Sequence, residues 1–182
     1  MEPCNIALNI ETTGLGPTDT ITCVAIAARD HAWTWTFQSE QDKVNSADFI
    51  AEQLDNAALI FTYNGAAFDI PFMQREFQYS DQQVGAWMAK LVDPLYAARA
   101  LLGYGACPKL SVVLELNGLP SKTGSGADAV ALARNGQWDE LVDYCINDTK
   151  LTLQLLELPQ IKWVEGLVFR PETRGCWLIG GN

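Results

Sequence analysis

Carboxylate and amide side chains recur along the chain where apolar segments end. Asn9 and Glu11 lie two residues apart in "NIALNIETTG", so a strand there puts both side chains on one face. Asp69 follows an apolar segment in "YNGAAFDIPFM", and Tyr144 precedes Asp148 by one helical turn in "YCIND". Carboxylates that meet at such a junction repel one another and shift their pKa values unless cations lie between them. These hard oxygen ligands suit Mg²⁺ or Mn²⁺.

Two divalent ions about 3.5–4 Å apart can hold the attacking and leaving oxygens of a phosphoryl displacement. The acidic residues therefore predict a site for two divalent cations, Mg²⁺ or Mn²⁺, that acts on phosphate esters. Tyr144 would place its hydroxyl beside a metal-bound water. Asp93, just before Pro94, is a further carboxylate that either supports this site from outside or caps a helix.

Composition narrows the classes of protein that fit the chain. Its 182 residues carry a formal net charge of −10, which argues against a protein that coats long nucleic acid through a broad basic face. Bound cations would reverse that sign locally, so an enzyme that grips one strand end stays compatible with the charge. His31 is the only histidine, which argues against histidine triads and histidine-rich metal sites.

Cysteine usage and hydropathy bear on the compartment. Five cysteines are scattered without a Cys-x-x-Cys pair, a pattern that favours reduced thiols over disulfides or a zinc site. No apolar run reaches the roughly 18–20 residues that span a bilayer. The first residues lack the basic-then-apolar pattern of a signal peptide. We therefore expect a cytoplasmic, reducing environment and no membrane partner.

Strand-type patterns dominate the first half of the chain and helix-type patterns the second. Helix 46–56 is predicted with Ser46 as its cap and with Phe49, Ile50 and Leu54 buried. This order of elements predicts an α/β fold in which helices flank a mixed sheet. The predicted strands are 5–11, 20–28, 32–38, 58–65 and a short one at 89–94. The other predicted helices are 66–77, 95–102, 109–119 and 138–156. The tail 161–179 is predicted as a hairpin or an extended cover strand.

Three segments together resemble a known set of motifs. "NIETTGL" (9–15), "YNGAAFDIPF" (63–72) and "YCIND" (144–148) resemble the three exonuclease motifs of the DEDD superfamily, which usually read D-I-E-T-T-G, N-x-x-x-F-D and Y-x-x-x-D. The tyrosine four residues before the last aspartate resembles the DEDDy subclass, that of proofreading domains in family A and B DNA polymerases. Its sister subclass has histidine where Asp143 stands here. The segment 109–130 is similar to that of stand-alone exonucleases related to family B proofreading domains.

The resemblance implies a ribonuclease H-like fold, with a mixed five-stranded sheet whose second strand is antiparallel. It also implies 3′→5′ removal of nucleotides with two divalent cations. Carried over residue by residue, Glu11 and Asp148 bind the ion that activates water, and Asp69 serves the second ion, largely through water. Tyr144 orients the nucleophile. Position 9 is the aspartate that bridges both ions in the resembling family.

Asn9 departs from this pattern. An amide oxygen can coordinate a hard cation but brings no charge, so the repulsion between two bridged ions is less compensated. We expect at least one ion to bind poorly and the reaction to slow by orders of magnitude. An engineered Asp→Asn change and a natural loss of activity both account for Asn9, and the intact remainder of the motifs favours the engineered change.

Several other motif residues are candidates for contacts to a nucleic-acid strand. In the resembling family, the turn after the first strand contacts the 3′-terminal nucleotide through its backbone and a wedging apolar side chain. Asn64 matches the asparagine of the second motif, which implies a contact to the substrate backbone. Phe68 either stacks on a terminal base or packs in the core, and Lys122 either reaches a phosphate or is a solvated loop lysine. The turn residues are Thr12, Thr13, Gly14 and Leu15.

The sequence as a whole predicts one exonuclease-like domain over 1–182, with the motifs in a core of about 5–158 and a C-terminal extension at 159–182. The predicted activity is removal of nucleotides from 3′ ends of single-stranded DNA. Oligoribonuclease activity stays open, since no residue clearly reads a 2′-hydroxyl. Two alternatives are a catalytically silent nucleic-acid-binding module and an interaction subunit of a replication or repair assembly. A proofreading role would need a polymerase as partner.

Overall fold

The central sheet has five strands in the order β3-β2-β1-β4-β5. A computed structural model describes residues 3–103, 107–173 and 175–178 of the chain. Strand β2 runs antiparallel to both of its neighbours, whereas β1, β4 and β5 run parallel to one another. The predicted mixed five-stranded sheet is therefore confirmed. Its strands are β1 (Ile6–Thr12), β2 (Ile21–Ala27), β3 (Ala32–Thr36), β4 (Ile60–Phe61) and β5 (Leu91–Val92).

Strand β1 lies in the middle of the sheet, and its alternating sequence fits that place. Ile6, Leu8 and Ile10 point into the larger hydrophobic core, while Ala7 faces the opposite core. Because strand side chains alternate between faces, Asn9 and Glu11 lie on the same side as Ala7. Strand β4 pairs with β1 only through Ile60 and Phe61, so the second half of β1 extends beyond it.

Seven helices among the described residues cover the sheet. Helix α7 contacts β1 and β2 directly, and α6 packs on α7. The apolar face of α1 and α2 packs against the isoleucines of β1, on the other side of the sheet. The helices are α1 (Glu40–Asn56), α2 (Asp69–Phe77), α3 (Asp81–Ala89), α4 (Pro94–Leu102), α5 (Leu110–Leu116), α6 (Gly126–Arg134) and α7 (Trp138–Leu156).

Helix α1 begins six residues before the predicted start. Ser39, not Ser46, is its cap: the Ser39 hydroxyl accepts from the backbone N–H of Asp42, whose carboxylate accepts from the N–H of Ser39. The prediction for Phe49 was also wrong, since its side chain is 61% exposed. Ile50 and Leu54 lie on the buried stripe, and Phe49 is one residue off that stripe.

Helices α3 and α6 were not predicted, although each has a clear start. Ser80 and Ser125 form capping boxes with Gln83 and Asp128, respectively. Both helices have only nine residues, and each buries a single side chain fully. A short helix with one buried residue gives almost no 3.6-residue periodicity, which explains why the pattern missed them.

The C-terminal part forms a second, antiparallel sheet of three strands, β6 (Ile161–Lys162), β7 (Leu167–Arg170) and β8 (Gly175–Leu178). The sequence predicted a hairpin or an extended cover strand here, and part of that stretch lies outside the described residues. Leu167 and Phe169 join the same core as Leu155 of α7. No helix in the described part of the chain is long and apolar enough to cross a membrane.

Candidate active site

Asn9 and Glu11 lie side by side on β1, as their spacing predicted. The Asn9 amide Nδ2 donates to Glu11 Oε1 at 3.0 Å and also contacts Cys145 Sγ of α7 at 3.5 Å. Glu11 is 8% exposed and belongs to the few buried charged residues of the chain. The neutral Asn9 therefore holds a buried carboxylate through one of its own N–H groups.

Asp69 reaches the same strand from the first turn of α2. Its Oδ1 accepts from the backbone N–H of Ile10 at 3.0 Å. This N–H lies beyond the end of β4 and has no partner strand there, so the carboxylate completes its hydrogen bonding. Burial raises the pKa of Asp69 to about 8, an effect that Asp93 and Glu11 add to and the Ile10 amide opposes.

Asp148 and Tyr144 lie one turn apart on the buried face of α7. Asp148 Oδ2 pairs with Lys122 Nζ at 2.6 Å, and the same ammonium lies 5.5 Å from the centre of the Tyr144 ring. The other carboxylate oxygen, Oδ1, is buried and has no hydrogen-bond partner among the described residues. Lys122, predicted as a phosphate contact or a solvated loop lysine, is thus the counter-ion of Asp148.

Burial and mutual charges shift the pKa values of Glu11, Asp148 and Tyr144. Burial raises the pKa of Glu11 to about 7; the Asn9 bond and Lys122 oppose this rise, and the Asp148 charge adds to it. Burial likewise raises the pKa of Asp148, against the effect of Lys122. The pKa of Tyr144 is raised by burial and by the charges of Asp148 and Glu11, so its hydroxyl keeps its proton at neutral pH.

The structure thus brings the predicted carboxylates together around β1, although they come from three elements. Glu11 is on the strand, Asp69 bonds the strand between Asn9 and Glu11, and the Asp148 charge acts on Glu11. Asp148 Oδ1 is buried without a hydrogen-bond partner among the described residues, and burial raises the pKa values of all three carboxylates. The oxygens of these residues and Asn9 Oδ1 are donors of the kind that Mg²⁺ and Mn²⁺ prefer.

The carboxylate and amide oxygens of the site are of the kind that fits a divalent cation, but two of the carboxylate oxygens already have partners within the protein. In the described residues no group of three or more His, Cys, Asp or Glu side chains could hold a metal ion as it stands. Glu11 Oε1 accepts from Asn9, and Asp148 Oδ2 pairs with Lys122. A cation would have to displace the Lys122 ammonium from Asp148 or bind beside it.

The turn after β1 has a fixed shape. Thr13 Oγ1 donates to Asp19 Oδ1 at 2.9 Å, and Thr12 Oγ1 donates to the carbonyl of Gly14 at 2.6 Å. A Cβ on Gly14 would lie 2.6 Å from Asp19 Oδ2, so a side chain there would push Asp19 away. Leu15, the next residue, is 83% exposed. The turn therefore presents Leu15 to solvent at the edge of the carboxylates.

Leu15 and Phe68 line one mostly apolar cavity of about 390 Å³ next to Glu11. Phe68 also lies against Phe72 with ring centroids 4.7 Å apart, and Phe72 is buried in the core. Phe68 therefore has one side on the core and one side on the cavity. The other lining residues are Ile10, Thr12, Gly14, Gly126, Ala127 and Val130.

Asn64 adopts a left-handed conformation, with φ of 76°, at the start of the loop that leads to Asp69. Its side-chain oxygen accepts from Arg99 Nη1 at 2.6 Å, and its backbone N–H donates to Asp93 Oδ1 at 3.1 Å. Asp93 also accepts from the N–H of Ala66 and caps α4 through Leu95 and Tyr96. Asp93 therefore caps a helix and at the same time holds the second-motif loop.

Sequence reasoning missed Arg99 and Cys145 as residues of this region. Arg99 lies in an amphipathic helix, where an arginine is ordinary, and it reaches Asn64 over 35 residues of chain. Cys145 is fully buried and contacts Asn9 over 136 residues. The sequence offers no local signal for either contact. The Asp93–Pro94 pair, by contrast, is a recognisable helix start.

A family model described as RNase_H superfamily (RNase_H_2) matches residues 6–159. The crystal structure of the Aedes aegypti Nibbler EXO domain is similar in fold, with a TM-score of 0.53 and 14% identity over 85% of this chain and 77% of that chain. No curated protein gives a significant match. This match covers most of the chain and includes all three motifs, so the chain belongs to the RNase H superfamily.

Proposed function

We propose that this protein is a DEDDy-type 3′→5′ exonuclease that removes nucleotides from single-stranded DNA ends, in a form weakened by Asn9. The observation that carries the proposal is the meeting of Glu11, Asp69 and Asp148 at β1, with Tyr144 one turn from Asp148. The similarity of fold to an exonuclease domain supports the reaction class. The relation to family B proofreading domains rests on the motifs alone.

Glu11, Asp69 and Asp148, with Asn9 Oδ1, would hold the divalent cations, Mg²⁺ or Mn²⁺. Bound there, the cations would supply an activated water and charge stabilisation for phosphodiester hydrolysis. Tyr144 keeps its hydroxyl proton at neutral pH, so it acts by orienting a hydrogen-bonded oxygen and not as a base.

The apolar cavity beside Glu11 supports a strand end as the substrate. A volume of about 390 Å³ accommodates one nucleobase with its sugar, and the walls from Leu15 and Phe68 are faces on which a base can stack. Stacking reads no base identity, so cleavage without strong sequence preference is expected. The terminal nucleotide would then sit beside the carboxylates with its phosphate toward Glu11.

Asn9 and Lys122 favour a second candidate function, strand-end binding without cleavage. Asn9 is neutral where the resembling motif has an aspartate, so the cluster has one negative charge fewer. Lys122 Nζ neutralises the charge of Asp148 at 2.6 Å from its Oδ2. Both features lower the attraction for a divalent cation. A protein of this kind would bind strands with or without metal and leave them intact.

The experiment that separates the two compares the chain with an Asn9→Asp variant. End-labelled DNA and RNA of matched sequence are digested with Mn²⁺, and an Asn9→Asp/Asp148→Asn double variant is the inactive control. A ladder from the 3′ end, faster by orders of magnitude for Asn9→Asp, supports the exonuclease. Intact strands with Asn9→Asp, despite strand binding, support the binding module instead.

A second readout does not depend on activity. Thermal unfolding is measured with increasing Mn²⁺ for the chain and for Asn9→Asp. A cation that binds only the folded state raises the melting temperature, and at a given concentration the rise is larger the tighter it binds. We expect a larger rise for Asn9→Asp, and equal rises together with equal cleavage rates would contradict the role assigned to Asn9.

A further inference from the structure

A cleft of about 530 Å³ opens on the Asn9 side of the carboxylates and carries an unusual charge for this acidic chain. Among the described residues that line it, one is acidic, Asp148, and three are basic. The polar and charged residues that line the cleft include Asn9, Asp148, Lys122, Asn64, Arg99 and Lys109. Three of the twelve basic residues of a chain with net charge −10 thus meet in one groove.

A neighbouring cavity, which shares Gly124 with the basic cleft and is also lined by Tyr144, has the reverse character. Its volume is about 580 Å³, and it is lined by Asp128, Glu140 and Asp143, with Lys150 as its basic residue. An anionic backbone that approaches Asp148 is therefore repelled at that cavity and attracted on the side of the basic cleft. The charges therefore favour approach of an anionic strand from the side of the basic cleft.

Arg99 is held in place within the cleft. Its Nη1 donates to Asn64 Oδ1 at 2.6 Å, and Asn64 is itself fixed by the bond from its backbone to Asp93. A guanidinium group has five donors in a planar fork that matches the oxygens of a phosphate. The bond to Asn64 thus fixes the orientation of the Arg99 guanidinium on the cleft wall.

Lys109 lies further out, directly before α5, and is exposed. The loop that carries it is tied to the second motif, because the Tyr63 hydroxyl donates to the carbonyl of Pro108 at 2.6 Å. Tyr63 in turn stacks on Trp163 with ring centroids 6.0 Å apart. The base of the Lys109 side chain is thus anchored while its ammonium is accessible.

The basic cleft and the apolar cavity follow each other along β1. Asn9 lines the basic cleft, Glu11 and Thr12 line the apolar cavity, and Gly126 lines both. A strand whose terminal nucleotide occupies the apolar cavity passes the carboxylates and continues into the basic cleft.

We propose that Arg99 and Lys109 form a phosphate track that binds the backbone of a single strand on the 5′ side of its terminal nucleotide. The proposal rests on the proposed strand-end function and adds residues that fix how the strand leaves the site. Phosphates are common to DNA and RNA, so the track binds both.

The test measures binding of fluorescent dT2, dT6 and rU6 to the full chain in EDTA, over a series of salt concentrations. We expect dT6 and rU6 to bind more tightly than dT2, whose single internucleotide phosphate lies at the carboxylates. Lys109→Gln should weaken dT6 and rU6 about tenfold, the effect of one charge-assisted contact. It should also lower the slope of log affinity against log salt by about 0.7, the value for one phosphate of a single strand.

Arg99→Gln is the second track variant, checked for an unchanged melting temperature because Arg99 is partly buried. Arg29→Gln is the matched control: it removes the same charge from an exposed arginine that pairs with Glu157, away from the cleft. Track variants that bind dT6 like Arg29→Gln, with the same salt slope, would overturn the proposal.

The outcomes separate this inference from the proposed function. If Lys109→Gln weakens dT6 while Asn9→Asp cleaves nothing, the track stands and the exonuclease fails. If Asn9→Asp cleaves while both track variants bind like the control, the exonuclease stands and the track fails. If the unmodified chain binds no strand at any salt concentration, the track is overturned.

Discussion

Replacing Glu11 by Gln should stabilise the protein at alkaline pH. Glu11 is a buried carboxylate whose pKa rises from an ordinary 4.5 to about 7, chiefly because of burial. The folded protein therefore holds a proton on Glu11 up to a higher pH than the unfolded chain does. As the pH rises from 4.5 to about 7, this difference lowers the free energy of unfolding. Gln has the same shape, carries no charge and keeps an oxygen that accepts from Asn9.

The magnitude follows from the two pKa values. At about 1.4 kcal/mol for each pKa unit, the difference between 4.5 and about 7 corresponds to about 3 kcal/mol. The variant should match the parent near pH 4.5, exceed it increasingly up to pH 7, and hold a constant lead above that. Loss of the Glu11 charge also lowers the pKa of Asp69, which acts in the same direction.

Urea unfolding in EDTA between pH 5 and pH 9 measures this effect directly. A gain of about 3 kcal/mol corresponds to a melting temperature higher by about 6–12 °C for a domain of this size. Glu115→Gln, at an exposed position, is the control and should leave the pH profile unchanged. A Glu11→Gln profile parallel to that of the parent would refute the reasoning, because Glu11 would then not pay an ionisation penalty in the folded state.

Two further predictions concern the elements that hold the site. Gly65→Ala should destabilise the protein by about 1–3 kcal/mol in urea unfolding, because the new Cβ would lie 2.5 Å from Cβ of the buried Thr62. A variant as stable as the parent would show that the second-motif loop can shift freely. Ser39→Ala should lower the free energy of unfolding by about 1 kcal/mol through loss of the α1 capping box. Ser46→Ala, inside the helix, should lower it by less. A larger loss for Ser46→Ala than for Ser39→Ala would place the helix start at Ser46.

Much of the fold was predictable because it depends on local periodicity. The alternation in β1 identified which residues face each side of the sheet, and helix α7 has the predicted bounds, Trp138–Leu156. Nineteen residues with a continuous apolar face leave little ambiguity. Helices α3 and α6 escaped prediction because they are short and each buries one side chain.

Spacing and motif order selected Glu11, Asp69 and Asp148 as candidates, and their role in a site stays a prediction. The structure places Glu11 on β1, Asp69 in a hydrogen bond to β1, and Asp148 close enough for its charge to act on Glu11. The pairing of Lys122 with Asp148 depends on a loop folding back onto α7. No periodic pattern records such a contact.

The sequence by itself determined which chemical groups are present and on which face of each helix or strand they lie. Residues three or four apart share one face of a helix, and residues two apart share one face of a strand. The departure at Asn9 is likewise visible from the sequence alone. Only the tertiary structure decided which charges meet. The Ile10–Asp69 bond spans 59 residues and the Arg99–Asn64 bond 35, and packing, not local geometry, closes such distances.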